Sequence, residues 1–221
     1  MPTRAAPGIP TDIVLTALIA TIPVPKCELD FRNPFELVIA TQLSAQSTDV
    51  MVNKVTPTLF ARWPNAASLA MADPAEVEAI LRPTGFFRNK TKNAVASSRI
   101  LVDRFGGEVP GRMEDLLLLP GVARKTANVV LGTAFGVQSG VTVDTHMFRV
   151  TRRWGWHDEK TAEKVEPILM ERIPQAGWSA FGHRGVLFGR YHCTARAPKC
   201  TDCRLVNTCP SAGGAAERGG E

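Results

Sequence analysis

Long apolar runs are missing from this 221-residue chain. Nothing approaches the roughly 18 unbroken apolar residues that a membrane span needs, and the N-terminal MPTRAAPGIP has no apolar core of signal-peptide type. A soluble, intracellular protein with no membrane partner is expected. Alternation of strand and helix patterns is also missing, as are long β-branched alternations and any internal repeat, which leaves an all-α class. Cysteine is sparse and unevenly placed. Of five cysteines, four crowd into CTARAPKCTDCRLVNTC and Cys27 stands alone; in a reducing compartment such a cluster points to metal rather than to disulfides.

What is present is ordinary globular composition, 44% apolar and 21% charged, with enough chain for a real core in one large domain or two small ones. A net charge of +5 favours a polyanionic partner, although a solvated basic face gives the same count. Apolar residues recur at steps of three and four in DIVLTALIATI, PFELVIATQLSAQS, VNKVTPTLFARW, DPAEVEAILR, KNAVASSRILVDRF, KTANVVLGTAFG and TAEKVEPILMERI, predicting helix over most of residues 10–192. Breaks fall at RPTGFFRN and FGGEVPGR. ERIPQAGWSAFGHRGVLFGRYHC runs from a helix straight into the cysteine cluster, so the cluster is expected to dock on the helical body. The Gly- and Ala-rich tail at 210–221 reads as disordered.

The stretch LLLLPGVARKTANVVLGTAFG, residues 116–136, poses a charge problem. MEDLLLL predicts a short helix ended by Pro120 and Gly121, and RKTANVV starts another within a few residues, giving a helix-hairpin-helix. Arg124 and Lys125 sit at a helix start, where the dipole opposes cations. A phosphate held by the free N–H groups of that helix start, with Gly121 allowing close approach, accounts for both cations. A plain helical corner with a solvated basic turn fits the same pattern. The four cysteines, spaced C-x6-C-x2-C-x5-C, can enclose one tetrahedral ion or a cubane, and the single C-x2-C pair tilts away from zinc.

LPGVARKTA, then VDTHMFRVTRRWG, then the cysteine cluster, resembles the endonuclease III family of helix-hairpin-helix DNA glycosylases, in order over about residues 10–209. The resemblance implies two helical lobes flanking a DNA-binding cleft. Residues 27–138 would form a six-helix barrel domain with the hairpin at about 112–136, and 1–26 with 139–209 an iron-sulfur domain. It implies a bifunctional glycosylase and abasic-site lyase of base excision repair, acting as a monomer at the nucleoid of a bacterial cytoplasm, or otherwise inside a cell. The substrate would be duplex DNA carrying damaged pyrimidines or abasic sites. Lys125 would be the nucleophile and Asp144 the essential carboxylate, while Cys193, Cys200, Cys203 and Cys209 would hold a [4Fe-4S] cluster that stiffens a loop.

The residue types make that chemistry intelligible. A neutral lysine amine attacks C1′ of the sugar and leaves a Schiff base; the helix dipole and Arg124 disfavour the charged amine, while Asp144 favours it. A separate task suits Asp144, taking a proton from the amine and stabilising positive charge on the sugar. Asp144 can equally be the N-cap of THMFRVTRRW, or fill both roles. His146 lies near the active site in the family and is otherwise structural.

Gln46 in LSAQSTD and Phe86 in TGFFRNK match the family's gap-filling loops, one facing the widowed base and one wedging the stack. Read without the family, Gln46 is a helix-end polar residue and Phe86 or Phe87 core. Phe86 replaces a more usual aliphatic residue, and Ala123 a more usual second glycine, which puts hairpin affinity in doubt. Between Arg82 and Arg104 six cations and one acid give a local +5, suited to tracking a strand or to one solvated face. Arg196 and Lys199, exposed by TARAPK, suit a second phosphate clamp. Cys27 reads as a small buried hydrophobe. An adenine-excising or a uracil or thymine mismatch glycosylase shares the cysteines, but the hairpin lysine speaks against both; a non-catalytic hairpin protein that only binds DNA remains the alternative from another class.

Overall fold

The computed structural model describes residues 8–212, and their regular structure is entirely helical. Of the expected disordered tail, 213–221 lies outside the described residues, and 210–212 form turns. The chain divides into two compact units, Cys27–Ser139, and Met1–Lys26 together with Gly140–Glu221.

Helix α1 (Thr11–Thr21) belongs to the split unit. The continuous unit holds α2 (Pro34–Leu43), α3 (Asp49–Arg62), α4 (Ala66–Ala70), α5 (Pro74–Leu81), α6 (Phe87–Phe105), α7 (Met113–Leu116) and α8 (Arg124–Ala134). Local chemistry starts each of the early helices. Asn33 accepts the Glu36 N–H at 2.9 Å with Pro34 at the first position, Thr48 accepts that of Met51, and Asp73 that of Ala75 before Pro74. Asn65 and Ser68 form a reciprocal capping box, which explains α4, a helix the apolar spacing did not announce.

Helix α2 is buried on every side from Phe35 to Leu43. Around it pack Val52, Leu59, Leu69, Leu81, Leu101, Leu116 and Leu131, all with no exposed surface. Each such side chain contributes about 1.5–3 kcal/mol of transfer free energy. Cys27 packs at the edge of this core and is half-buried rather than fully buried.

Two helices end earlier than their apolar patterns. MEDLLLL is helical only to Leu116 because a residue before proline is pushed out of the α region; Leu119 bonds back to Leu116, while Leu117 and Leu118 are exposed. Helix α2 stops at Leu43, and Ser44 to Ser47 form a turn.

In the split unit α1 joins α9 (Thr145–Arg153), α10 (Ala162–Arg172) and α11 (Trp178–Tyr191). Its core is aromatic: Trp154 meets Trp156 edge-on at 5.2 Å between ring centroids, and Trp156 stacks on Phe181 at 6.0 Å. Helix α11 passes so close to α9 that a Cβ on Gly189 would lie 2.9 Å from that of His146. Among the described residues no helix is long and apolar enough to cross a membrane.

Candidate active site and cysteine-lined cavity

The hairpin is a tight turn in the continuous unit, closed by Val122 N–H to the Leu119 carbonyl at 3.0 Å. Its Pro120 carbonyl is gripped from below. Gln42 Nε2 donates to it at 2.8 Å and Ser97 Oγ at 3.1 Å, and Gln42 Nε2 also donates to Ser97 Oγ at 2.7 Å. Both side chains are buried, so α2 and α6 hold the turn by polar contacts in an apolar setting. Neither residue was expected as a site residue. The only trace in the sequence is a polar residue at an apolar position of each helix.

Gly121 adopts φ +80°, a left-handed conformation that glycine takes without strain. A Cβ there would also lie 2.6 Å from Asn93 Nδ2. The glycine is thus required by backbone hand and by Asn93, besides any approach of a phosphate. Ala123 caps α8 without a side-chain acceptor, and the first turn of α8 contains no acid, so no capping side chain covers the N–H groups at this helix start. Arg124 and Lys125 are its first two residues and both are exposed. Arg124 reaches the Ser139 carbonyl at 3.4 Å, bracing the far end of α8 as well as adding charge.

Gln46 and Phe86 are the two non-glycine residues with positive φ among the described residues, at 53° and 47°. Both are exposed, Phe86 at 65%. A left-handed backbone at a non-glycine residue costs about 1–3 kcal/mol and persists where the surroundings impose it, which is typical of functional positions. Phe87, its neighbour, packs on the core instead, with the guanidiniums of Arg82 and Arg88 over its ring at 5.7 and 5.3 Å.

The basic run from Arg82 to Arg104 is not one solvated face. Lys90 is 5% exposed and its Nζ donates to the Thr84 carbonyl at 2.8 Å; burial pushes its pKa down. Arg99 Nε donates to the Ala70 carbonyl at 3.1 Å.

In the split unit Asp144 is the N-cap of α9, with Oδ1 accepting the Met147 N–H at 2.8 Å. The cap role expected of it is present, and its other oxygen takes no hydrogen bond from a described residue. His146 stands in the first turn with Nδ1 3.4 Å from Arg149. Arg149 donates to the carbonyls of Gly189, at 2.7 Å, and Cys193, at 3.0 Å, which ties His146 to a structural network.

Cys193, Cys200, Cys203 and Cys209 all line one cavity of about 610 Å³, with Arg196 and Lys199 at its wall. Arg153, at the end of α9, is the anchor of the loop. It donates to Cys193 Sγ at 3.2 Å and to the carbonyls of Thr194 and Ala195 at 2.7 and 3.0 Å. Its own carbonyl accepts from Ser211 Oγ at 3.0 Å. Burial, and then the neighbouring cysteines, raise the Cys203 and Cys209 thiols, against N–H donation from Leu205 to the first and from Ser211 and Ala212 to the second. A single zinc ion with bonds near 2.3 Å draws four sulfurs to about 3.8 Å of one another. Four thiolates lining one cavity of about 610 Å³ can also enclose the larger body of a cubane.

Residues 39–175 match the model of the HhH-GPD superfamily base excision DNA repair proteins. The chain is 50% identical over 199 residues to the endonuclease III of Synechocystis sp., covering 90% of this chain and 91% of that one. It is similar to the enzyme in a solved non-covalent endonuclease III–DNA complex, at 42% identity and a TM-score of 0.90, over 94% of this chain and 97% of the other. A trapped endonuclease III–DNA covalent intermediate matches at 41% identity and a TM-score of 0.87, over 92% and 97%. With a left-handed hairpin glycine, a lysine at the following helix start and four cysteines around one cavity, the chain belongs to the endonuclease III family of the HhH-GPD superfamily.

Proposed function

We propose that the protein excises oxidised pyrimidines from duplex DNA inside the cell and cleaves the strand at the resulting abasic site through Lys125. The hairpin carries this reading. An exposed amine stands one residue into a helix whose leading N–H groups no side chain caps, beside a turn fixed by Gly121, Gln42 and Ser97. A DNA phosphate seated on those N–H groups brings the sugar to the amine.

Lys125 Nζ, unprotonated, forms a bond to C1′ as the C1′–N bond to the damaged base breaks and the base leaves with that electron pair. The amine proton passes to a carboxylate, the role assigned to Asp144, whose negative charge also stabilises the positive charge building on the sugar. Ring opening gives a Schiff base. Loss of a C2′ proton then expels the 3′ phosphate, which breaks the strand on that side. The carboxylate oxygen left over from the α9 cap supports this double use of Asp144. Gln46 and Phe86 occupy the place of the extruded nucleotide, one by hydrogen bonding to the widowed base and one by wedging the stack. Ala123 gives the phosphate seat no second glycine, and Arg196 and Lys199 supply a second phosphate contact from the cysteine loop.

The four cysteines fit a [4Fe-4S] cluster, which would hold the loop between Cys193 and Cys209 in shape and takes no part in the bond changes. A yellow-brown purified protein supports it; a colourless one with bound zinc refutes it. Incubation with duplex DNA carrying an abasic site or an oxidised thymine, followed by borohydride, should leave a covalent adduct. Persistence of the adduct in Lys125→Gln would sink the nucleophile assignment.

A further inference from the structure

Lys90 is an expensive residue to bury. It lies in α6 at 5% exposure, donates to one carbonyl, that of Thr84, and faces no carboxylate in any described ion pair. A buried cation without a counter-charge lowers stability, so its presence asks what the single contact secures. The turn it touches joins two consecutive residues of positive φ. Gly85 sits at φ 69° and ψ 159°, and Phe86 follows at φ 47° and ψ 27°. The first of these conformations is open essentially to glycine alone, and the second is unfavourable for an aromatic residue.

The lysine brackets that turn from both ends. Its Nζ donates to the carbonyl of Thr84, before the strained pair, at 2.8 Å. Its backbone N–H donates to the carbonyl of Phe86 itself at 3.1 Å. Thr84 is fixed in turn, its hydroxyl donating to the Leu81 carbonyl at 2.8 Å. The Phe86 ring is left exposed at the tip while the backbone beneath it is held by a buried charge-assisted hydrogen bond.

We infer that Lys90 is a positioning residue that locks the Thr84–Phe86 turn in its left-handed form and so pre-sets Phe86 for insertion into the DNA stack. This rests on the reading of Phe86 as the wedge. The amine touches no DNA; it spares the complex the cost of ordering the turn on binding. Relaxing one left-handed residue shifts a two-state turn by about tenfold, and affinity for a gapped stack should fall by that factor.

The test uses the full-length protein and duplex DNA with a tetrahydrofuran abasic analogue opposite 2-aminopurine, whose fluorescence reports loss of stacking. Lys90→Met keeps length and removes the donor. It should weaken binding about tenfold and blunt the fluorescence rise, leaving the helical circular dichroism spectrum unchanged. In a Phe86→Ala background the same change should add nothing, because the turn then has no ring to aim. Gly85→Ala strains the turn from the solvent side, with no atom within 4 Å of the added methyl. It should reproduce the defect and stands in if Lys90→Met does not fold. Native binding and fluorescence in Gly85→Ala or in folded Lys90→Met, or a Lys90→Met loss that persists in full without Phe86, would overturn the inference. A Phe86→Ala protein indistinguishable from native would instead overturn the wedge reading beneath it.

Discussion

Replacing Gly121 by alanine separates two costs that the hairpin imposes on one position. The φ of +80° charges an L-residue about 1–2 kcal/mol. The added methyl then meets Asn93, at 2.6 Å from Nδ2, 3.1 Å from Cγ and 3.3 Å from Cβ. Asn93 must leave its rotamer or the turn must lift, at about 1–2 kcal/mol. Gly121→Ala should therefore lose about 2–4 kcal/mol in equilibrium urea unfolding. In an Asn93→Ala background the two closest atoms are gone, and the loss should shrink to the backbone part, about 1–2 kcal/mol. The coupling in that double-mutant cycle measures the steric share. Borohydride trapping provides the functional arm: Gly121→Ala should slow adduct formation because Lys125 lies four residues on, and Asn93→Ala should not restore it fully. A loss below about 0.5 kcal/mol, the range of ordinary surface changes, or an equal loss in both backgrounds, would refute the reasoning.

Asp144→Asn keeps a side-chain acceptor for the Met147 N–H and removes the charge, so it should retain the stability of α9 and abolish strand cleavage. Asp144→Ala should lose activity and about 1 kcal/mol of cap as well, and equal stability of the two variants would deny the cap. His157 gives a pH signature. Its Nε2 lies 3.0 Å from Thr151 Oγ1 and 3.2 Å from the Phe148 carbonyl, and Nδ1 is buried with no partner among the described residues. Burial first, and then Arg152, hold its pKa below the ordinary 6.5, against the Phe148 carbonyl, Asp158 and Glu159. The neutral ring is the native form, so its contribution is complete above pH 6.5 and is lost as pH falls below it. His157→Gln should flatten the fall in melting temperature over that range, and an unchanged slope would count against the assignment. Arg153→Lys loses the planar fork that reaches Cys193 Sγ and two loop carbonyls; visible absorbance should bleach faster under an iron chelator, and native bleaching kinetics would show that the fork is dispensable.

The helices were legible because apolar spacing acts locally; the caps Asn33 before Pro34 and Asp73 before Pro74, seen in the folded chain, agree with it. The hairpin was legible from Pro120 and Gly121, and the cysteines from their spacing. Gln42 and Ser97 were not, since 55 residues separate two side chains that meet only in the folded core. Nor was the fate of Lys90, which stands among five other cations and looks like one more solvated charge until burial is known. The left-handed backbones of Gln46 and Phe86 leave no compositional trace, because glycine is the residue that announces such a turn. Residue types suggested both tips; only the folded chain reveals the strain beneath them.

Helix α9 has one further consequence. It is nine residues long, about 13 Å at 1.5 Å per residue. Asp144 closes one end and Arg153 holds the cysteine loop from the other. One short helix thus carries both anchors, so a change that loosens the loop at Arg153 should be sought at the Asp144 cap as well as at the cysteines.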